Sequence, residues 1–181
     1  MMNFCAYSVL LVLLSADVWA KGTLNAQPIQ CVNVACYEFV TTNMTNELTF
    51  IADSLFDKVV FDKDGENWIF YFSKRIYANS SGFWRLLKKH KILFVSLDNK
   101  QQFGLPKPID LVEELNNILS GQRLKKIEVI KDTYDLILTL TNDLTVEIYI
   151  SSSGYETYDF SIAGKRYIGL GSGDIAIMDD R

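Results

Sequence analysis

Short runs of β-branched and aromatic residues, separated by turn residues, follow one another from Lys58 to Met178. Such runs are typical of antiparallel strands. Val59-Val60-Phe61 and Trp68-Ile69-Phe70-Tyr71-Phe72 flank Asp62-Lys63-Asp64-Gly65, which predicts a hairpin whose Asp-Gly step supplies the positive φ of the turn. The apolar run Ile92 to Leu97 then predicts a buried strand. Strands should therefore outnumber helices in this chain.

The second half of the chain continues the strand pattern. Four runs are joined by short connections, with turns at Asn142-Asp143 and Ala163-Gly164, and this spacing predicts a meander. The four runs span Leu124 to Ile130, Leu136 to Leu140, Leu144 to Ile150 and Tyr155 to Ile162.

A single helix is predicted between the two halves, near residues 110–120. Asp110 is a suitable N-cap, Glu113 stands three residues later as in a capping box, and Gly121 suits the position just after the helix. One apolar stripe is formed by Leu111, Leu115, Ile118 and Leu119. The expected class is α+β, mostly antiparallel β in a meander-type sheet, with this one helix packed on it.

The halves on either side of the helix resemble each other. Lys63-Asp64, an apolar block from Trp68 and Ser80-Ser81-Gly82-Phe83 match Lys131-Asp132, an apolar block from Leu136 and Ser152-Ser153-Gly154-Tyr155. The alternative is a chance reuse of turn residues. A structure decides between them, because a duplication requires the same strand topology in both halves.

An apolar run from Ala6 to Leu14 is too short to span a bilayer as a helix but has the length of a signal-peptide core. Val18-Trp19-Ala20 forms a cleavage site, although no Lys or Arg precedes the apolar run. We therefore predict a signal peptide at 1–20, a linker or poorly ordered segment at 21–47 and a single β-rich domain at 48–181. The mature chain carries no predicted membrane span. The chain is exported, to the periplasm or the extracellular space, if the leader functions, and cytoplasmic if translation starts at Met44.

Composition and cysteine spacing narrow the possible partners. Cys31 and Cys36 can close a small loop by a disulfide in an oxidising compartment, but together with His90 they cannot fill a four-ligand zinc site. The chain has 18 basic and 22 acidic residues, a formal net charge of -4 and no long basic run. Nucleic-acid affinity depends on basic surface, so nucleic acid is disfavoured as a partner. We expect no metal and no cofactor.

No motif assembles a reactive centre. His90 lies within a lysine-rich segment that indicates a solvated turn. The glycine-rich stretch Gly169 to Gly173 precedes a short apolar strand, so it predicts a bend between the last two strands and not a phosphate-binding loop. Glu156 is the best single carboxylate candidate, but no partner is marked for it. We predict that the chain is not an enzyme.

The segments Ser80 to Trp84 and Ser152 to Tyr158 place aromatic residues beside small ones, a composition that favours protein contacts when it is exposed. We predict binding roles for Trp84, Tyr155, Glu156 and Tyr158 on a face of the sheet. For the aromatic residues, packing in the core is the alternative.

Five further motifs are Gly82-Phe83-Trp84-Arg85-Leu86-Leu87, Ser96-Leu97-Asp98-Asn99, Gln102-Phe103-Gly104-Leu105-Pro106, Asp135-Leu136 and Ser152-Ser153-Gly154-Tyr155-Glu156. In these motifs the chain resembles a group of small bacterial proteins of unknown function, some of which look like immunity proteins of toxin systems. The resemblance runs from about Met44 to Arg181. It supplies no catalytic residue, and it implies protection against a toxin, which would act outside the cytoplasm if the leader is functional.

Three functions follow from these observations. The first is a non-enzymatic domain that binds a protein partner, such as a toxin that it neutralises. The second is an exported, envelope-associated structural domain, which the leader and the pair Cys31 and Cys36 favour. The third is an enzyme acting on carbohydrate or peptide, which would need two carboxylates facing one cleft.

Overall fold

A computed structural model describes residues 48–180, together with the backbone of two short strands that precede them. These are β1 (Cys31–Val32) and β2 (Ala35–Cys36), which pair antiparallel with Cys31 directly opposite Cys36. The predicted signal peptide, the rest of the predicted linker and the side chains of both cysteines lie outside the described residues. Within residues 48–180, no helix has the length and apolar character needed to cross a membrane.

The predicted α+β class is confirmed, since the main body is an eleven-stranded antiparallel sheet with a single α-helix. The first five strands are β3 (Leu48–Asp62), β4 (Asn67–Phe72), β5 (Ile76–Ser80), β6 (Trp84–Lys88) and β7 (Lys91–Val95). After the helix, α1 (Leu111–Leu119), come β8 (Arg123–Val129), β9 (Leu136–Leu140), β10 (Leu144–Ile148), β11 (Tyr158–Ile162), β12 (Lys165–Leu170) and β13 (Asp174–Asp179). The order across the sheet is β13-β12-β11-β5-β4-β3-β8-β9-β10-β6-β7.

This strand order is the same when it is traced from either half of the chain. Each strand from β3 to β7 can be replaced by the strand at the same place in the series β8 to β12, and the reverse. When the resulting list is read backwards, the order of these ten strands is unchanged. In each half the first three strands form a meander, and the fourth crosses to the other half: β6 pairs with β10, and β11 pairs with β5. The prediction of two similar halves is therefore confirmed at the level of strand order. The expected four-strand meander in the second half is wrong in its last step, because β11 leaves for the first half.

The correspondence extends to single residues. Val59 of β3 pairs with Phe70 of β4, and Ile127 of β8 pairs with Leu138 of β9. Ile127 follows Val59 in the sequence by the same number of residues as Leu138 follows Phe70. The two ladders also have their irregularity at the equivalent place, just after Phe56 in one and just after Leu124 in the other. Because a β-bulge is a local insertion that evolution tends to retain, a shared bulge supports a duplication and not a chance match of turn residues.

Side chains from both halves fill one core. The ring of Trp84 on β6 meets Trp68 and Phe70 on β4 in edge-to-face contacts at 5.1 and 5.6 Å between centroids. Those three residues all belong to the first half. Contact between the halves is made by Phe50 on β3 and Phe160 on β11, whose ring centroids lie 5.8 Å apart. Burial of apolar surface between the halves is a driving force for the whole fold.

The helix α1 begins and ends as its sequence predicts. The Asp110 side chain accepts a hydrogen bond from the Glu113 N–H, and Gly121 takes a φ of +73° just after the helix. Its buried face is formed by Leu111, Leu115 and Leu119. The polar residue Asn116 also faces the sheet: its Oδ1 accepts from the Val59 N–H at 2.8 Å and its Nδ2 donates to the Val59 carbonyl at 2.9 Å.

Two local predictions are corrected. In the turn between β3 and β4, the positive φ belongs to Glu66 and not to Gly65. The run Ile92 to Leu97 is not a buried strand, since β7 is the last strand of the sheet and Ile92 is 55% exposed. The apolar run resembled a core strand because apolar side chains occupy both of its faces.

Candidate functional site

The connection from β10 to β11, which we call the crossover loop (residues 149–157), takes the second half of the chain across to the first, where β11 pairs with β5. Its first residue is fixed by a hydrogen bond from the Tyr149 N–H to the Phe83 carbonyl at 3.0 Å. Its last residue is fixed by a bond from the Thr157 N–H to the Gly169 carbonyl, also at 3.0 Å. Between them, Ser152 Oγ accepts from the N–H groups of Gly154 and Tyr155, which holds the tip in one turn.

Glycines allow the crossover loop to lie directly on its neighbours. A Cβ at Gly171, in the turn after β12, would lie 2.5 Å from the Gly154 nitrogen. A Cβ at Gly82, in the connection from β5 to β6, would lie 2.4 Å from Thr157 Cγ2. At Gly171 the obstacle is backbone, so only glycine fits there, whereas a side chain at Gly82 would have to displace the side chain of Thr157. The glycine-rich stretch around Gly171 thus forms the predicted bend between the last two strands, and it also seats the crossover loop.

The four predicted binding residues divide into two pairs. Tyr155 and Glu156 are exposed on the crossover loop, with Tyr155 81% exposed. Trp84 and Tyr158 are buried in the core, at 0% and 3% exposure, so neither is available to a partner and their predicted binding role is corrected. The predicted strand from Tyr155 also begins later, at Tyr158.

Tyr158 instead ties the crossover to the core. Its hydroxyl donates to the Tyr134 carbonyl at 2.6 Å, and burial raises the pKa of that hydroxyl well above its usual range. Its ring fills the space above Gly169, where a Cβ would come within 2.3 Å of the ring. Alternation along β11 puts Tyr158 on the core face and its neighbour Asp159 on the opposite face.

A polar cleft of about 190 Å³ lies beside the crossover loop, on the outer face of β5, β11 and β12. Its lining consists of Asn67, Asn79, Ser81, Glu156, Thr157, Tyr158, Asp159 and Arg166. At its base, Asp159 is only 5% exposed, and its two oxygens accept hydrogen bonds from Asn79 Nδ2 at 3.0 Å and Arg166 Nε at 2.9 Å. We refer to these three residues as the Asp159 network.

The Asp159 carboxylate changes the pKa values of two neighbouring groups. The hydrogen bond from Arg166 to Asp159 holds the pKa of the guanidinium above its ordinary value. Burial, followed by the charge of Asp159, raises the pKa of Tyr77 to about 12. Both oxygens of Asp159 are engaged by donors, so this carboxylate is arranged to hold Arg166 in place.

The third sequence hypothesis required two carboxylates facing one cleft, and Glu156 and Asp159 do line the same cleft. The bonds that Asn79 and Arg166 donate occupy the Asp159 oxygens that a proton transfer or nucleophilic attack would use. The arrangement is that of a partly buried ion pair between Arg166 and Asp159.

The other predicted features lie apart from this cleft. His90 is exposed in the tight turn between β6 and β7, as predicted, with a φ of +63°. Across residues 48–180, the structure brings together no group of three or more His, Cys, Asp or Glu side chains able to hold a metal ion. Cys31 and Cys36 are opposite each other in backbone register, and the disulfide between them stays a prediction.

Sequence reasoning missed the Asp159 network. The available signal was the alternation Tyr158-Asp159-Phe160-Ser161-Ile162, in which every second residue is polar. That pattern predicts a strand with a polar outer face, but it does not reveal that Asn79 and Arg166 lie on the two flanking strands.

The chain matches no protein-family model, no curated protein and no solved structure. Its class is therefore given by its own architecture, a duplicated antiparallel sheet with exchanged strands. The function has to be argued from the surface that this architecture presents.

Proposed function

We propose that this chain is a non-enzymatic domain that binds a protein partner through the crossover loop, with Tyr155 and Glu156 in the contact. The observation that carries the proposal is the exposure of Tyr155 on a loop whose backbone is held on both sides. A solvent-exposed tyrosine supplies a large contact area and loses little side-chain entropy on binding.

Rigidity of the crossover loop supports this proposal. Ser152 fixes the turn that carries Tyr155, and Gly171 lets the loop rest on the turn after β12. A loop that is already ordered avoids the entropic cost of ordering when a partner binds. The same arrangement is typical of binding loops mounted on a rigid sheet.

Charge and sequence resemblance indicate the kind of partner. Glu156 is exposed next to Tyr155, and the chain has a formal net charge of -4, which favours a basic partner by electrostatic steering. The resemblance to immunity proteins of toxin systems gives such a partner a role, since an acidic protein that covers a basic toxin would neutralise it. We propose a toxin as the partner on these two grounds.

The test is affinity capture from the native cell with the wild-type chain, the Tyr155→Ala variant and the Ile51→Ala variant. Ile51 is 82% exposed on β3, so it controls for the loss of an exposed apolar side chain elsewhere. We expect the wild type and Ile51→Ala to retain one partner that Tyr155→Ala binds at least about tenfold more weakly, the usual cost of removing an anchor. Capture that is equal for all three proteins would contradict the proposal.

We also propose that the chain is exported, on the basis of the apolar leader. N-terminal sequencing of protein purified from the native cell should give Lys21 as the first residue, and alkylation with and without reductant should show Cys31 and Cys36 oxidised. A first residue at Met44 would place the protein in the cytoplasm and would move the proposed toxin there as well.

A further inference from the structure

The internal duplication leaves one strand without a counterpart. Strands β3–β7 correspond to β8–β12, and within the eleven-stranded sheet β13 alone has no equivalent. β13 covers the outer edge of β12 along its whole length, from Lys165 opposite Asp179 to Leu170 opposite Asp174. The equivalent edge, that of β7, has only β6 beside it within residues 48–180.

The uncovered edge carries exposed apolar side chains. Ile92 and Leu93 on β7 are 55% and 39% exposed, and Leu97 just beyond the strand is 71% exposed. An edge strand with exposed apolar residues is a template for pairing with another chain. In the other half β13 lies beside the corresponding strand, and Tyr167, the equivalent of Phe94, is buried, whereas Phe94 is only partly buried.

The register shows which charge an added strand would need. Lys91, the first residue of β7, pairs with Lys88, the last residue of β6. In the same way Lys165, the first residue of β12, pairs with Ile162, the last residue of β11. Lys91 and Lys165 are therefore equivalent. Lys165 Nζ lies 3.3 Å from Asp179 Oδ1 on β13. The turn before Lys91 adds Lys89, so this end of the β7 edge is strongly basic. A carboxylate opposite Lys91 would reproduce the pairing in the other half.

The free part of the edge is short. The Val95 N–H donates to Asp98 Oδ2 at 2.9 Å, which closes the far end of β7. The ladder between β6 and β7 also shifts register between Leu86 and Leu87, whereas the ladder between β11 and β12 does not. Both features limit pairing to the stretch around Lys91 to Leu93, so the matching segment is short.

We propose that the outer edge of β7 binds a short extended segment of a partner protein, which adds to the sheet as an antiparallel strand. The segment is apolar and carries carboxylates at its C-terminal end, opposite Lys91. Its chemistry is that of β13, in which Ile175, Ala176 and Ile177 precede Asp179 and Asp180. This surface is separate from the crossover loop, and the proposal does not depend on the one made above.

The test uses the full chain, labelled with ¹⁵N, and an N-acetylated peptide copying residues 174–180 (Asp-Ile-Ala-Ile-Met-Asp-Asp). A second peptide has lysine in place of its last two aspartates. We expect the first peptide to shift the amide signals of residues 90–94, and to bind at least about threefold more tightly than the second, the effect of one cross-strand charge pair.

The Lys91→Glu variant supplies the matched control, because it should reverse this preference while the sheet remains folded by circular dichroism. Three results would overturn the proposal: no shift at residues 90–94 at millimolar peptide, shifts confined to β12, or equal binding of both peptides to both proteins. Concentration-dependent broadening of the β7 signals without peptide would also overturn it, since the occupant would then be a second copy of the chain.

Discussion

Leu55 of β3 lies directly opposite Arg123 of β8, and these two residues are also equivalent to each other in the two repeats. A residue that pairs with its own counterpart marks the position of a two-fold axis. The axis therefore passes through the ladder between β3 and β8, at the centre of the sheet. The two bulges, just after Phe56 and just after Leu124, lie at positions related by this axis.

Replacing Gly171 by alanine should destabilise the fold by about 1–3 kcal/mol, because the added Cβ would press on the backbone of the crossover loop at Gly154 and Ser153. Gly154→Ala is the matched control, since a Cβ at Gly154 meets nothing within 4 Å. Urea denaturation measures both free energies of unfolding. A cost for Gly154→Ala as large as that for Gly171→Ala would show that the close approach is not the cause.

Replacing Asn116 by alanine should cost about 1–3 kcal/mol, because the N–H and carbonyl of Val59 would each lose a partner in a partly buried position. Asn117→Ala, one residue along the same helix but exposed, controls for the change in helix propensity. Thermal and urea unfolding compare the two variants. Equal stability of Asn116→Ala and Asn117→Ala would mean that water replaces the amide at the β3 edge.

Replacing Asp159 by asparagine should destabilise the fold by about 1–2 kcal/mol, a value reduced for the partial exposure of Arg166. The variant keeps the shape of the side chain and removes the charge that Arg166 contacts. Asp53→Asn, which breaks the exposed pair with Arg123, serves as the control and should leave stability unchanged within error. If both variants unfold at the wild-type urea concentration, the Asp159 network is not a stabilising element.

Stability should fall as the pH rises from about 10 to about 12. The pKa of Tyr77 is raised to about 12 in the folded chain, whereas an unfolded tyrosine ionises near 10. The unfolded chain therefore loses this proton at a lower pH than the folded chain. As pH rises through this window, the unfolded chain becomes more favoured. Tyr77→Phe should flatten this decline, and Tyr155→Phe, whose side chain is 81% exposed, should not. The measurement is the urea midpoint at several pH values, and equal slopes in both variants would contradict the prediction.

Elements with local signals were predictable from the sequence. The cap residues Asp110 and Gly121 locate α1, and two-residue turns such as Asn142-Asp143, both with positive φ, locate the hairpins. The duplication was visible because Lys63-Asp64 and Lys131-Asp132 occupy equivalent turns. The predicted match of Ser80 with Ser152 is out of register, since Ser80 is equivalent to Ile148. These features depend on interactions between residues that are close in sequence.

Features that depend on distant parts of the chain were not predictable. The crossing of β11 to β5 requires that Ser80 lie beside Tyr158, and no short-range pattern encodes that pairing. The exposure of Ile92 has the same origin, because whether an apolar strand is central or at the edge depends on which strands join the sheet. Trp84 and Tyr158 are buried because β6 and β11 each cross to pair with strands of the other half, which places both side chains in the shared core.

The exchange of strands between the repeats also affects how the chain can be made. Each repeat lacks the strand that completes its sheet until the other repeat is present, so neither is a self-sufficient folding unit. During synthesis the first repeat leaves the ribosome long before β11, with the β5 edge that β11 will cover still bare. Completion of the domain must therefore wait for nearly the whole chain, and until β11 is made the β5 edge is open to pairing with other strands.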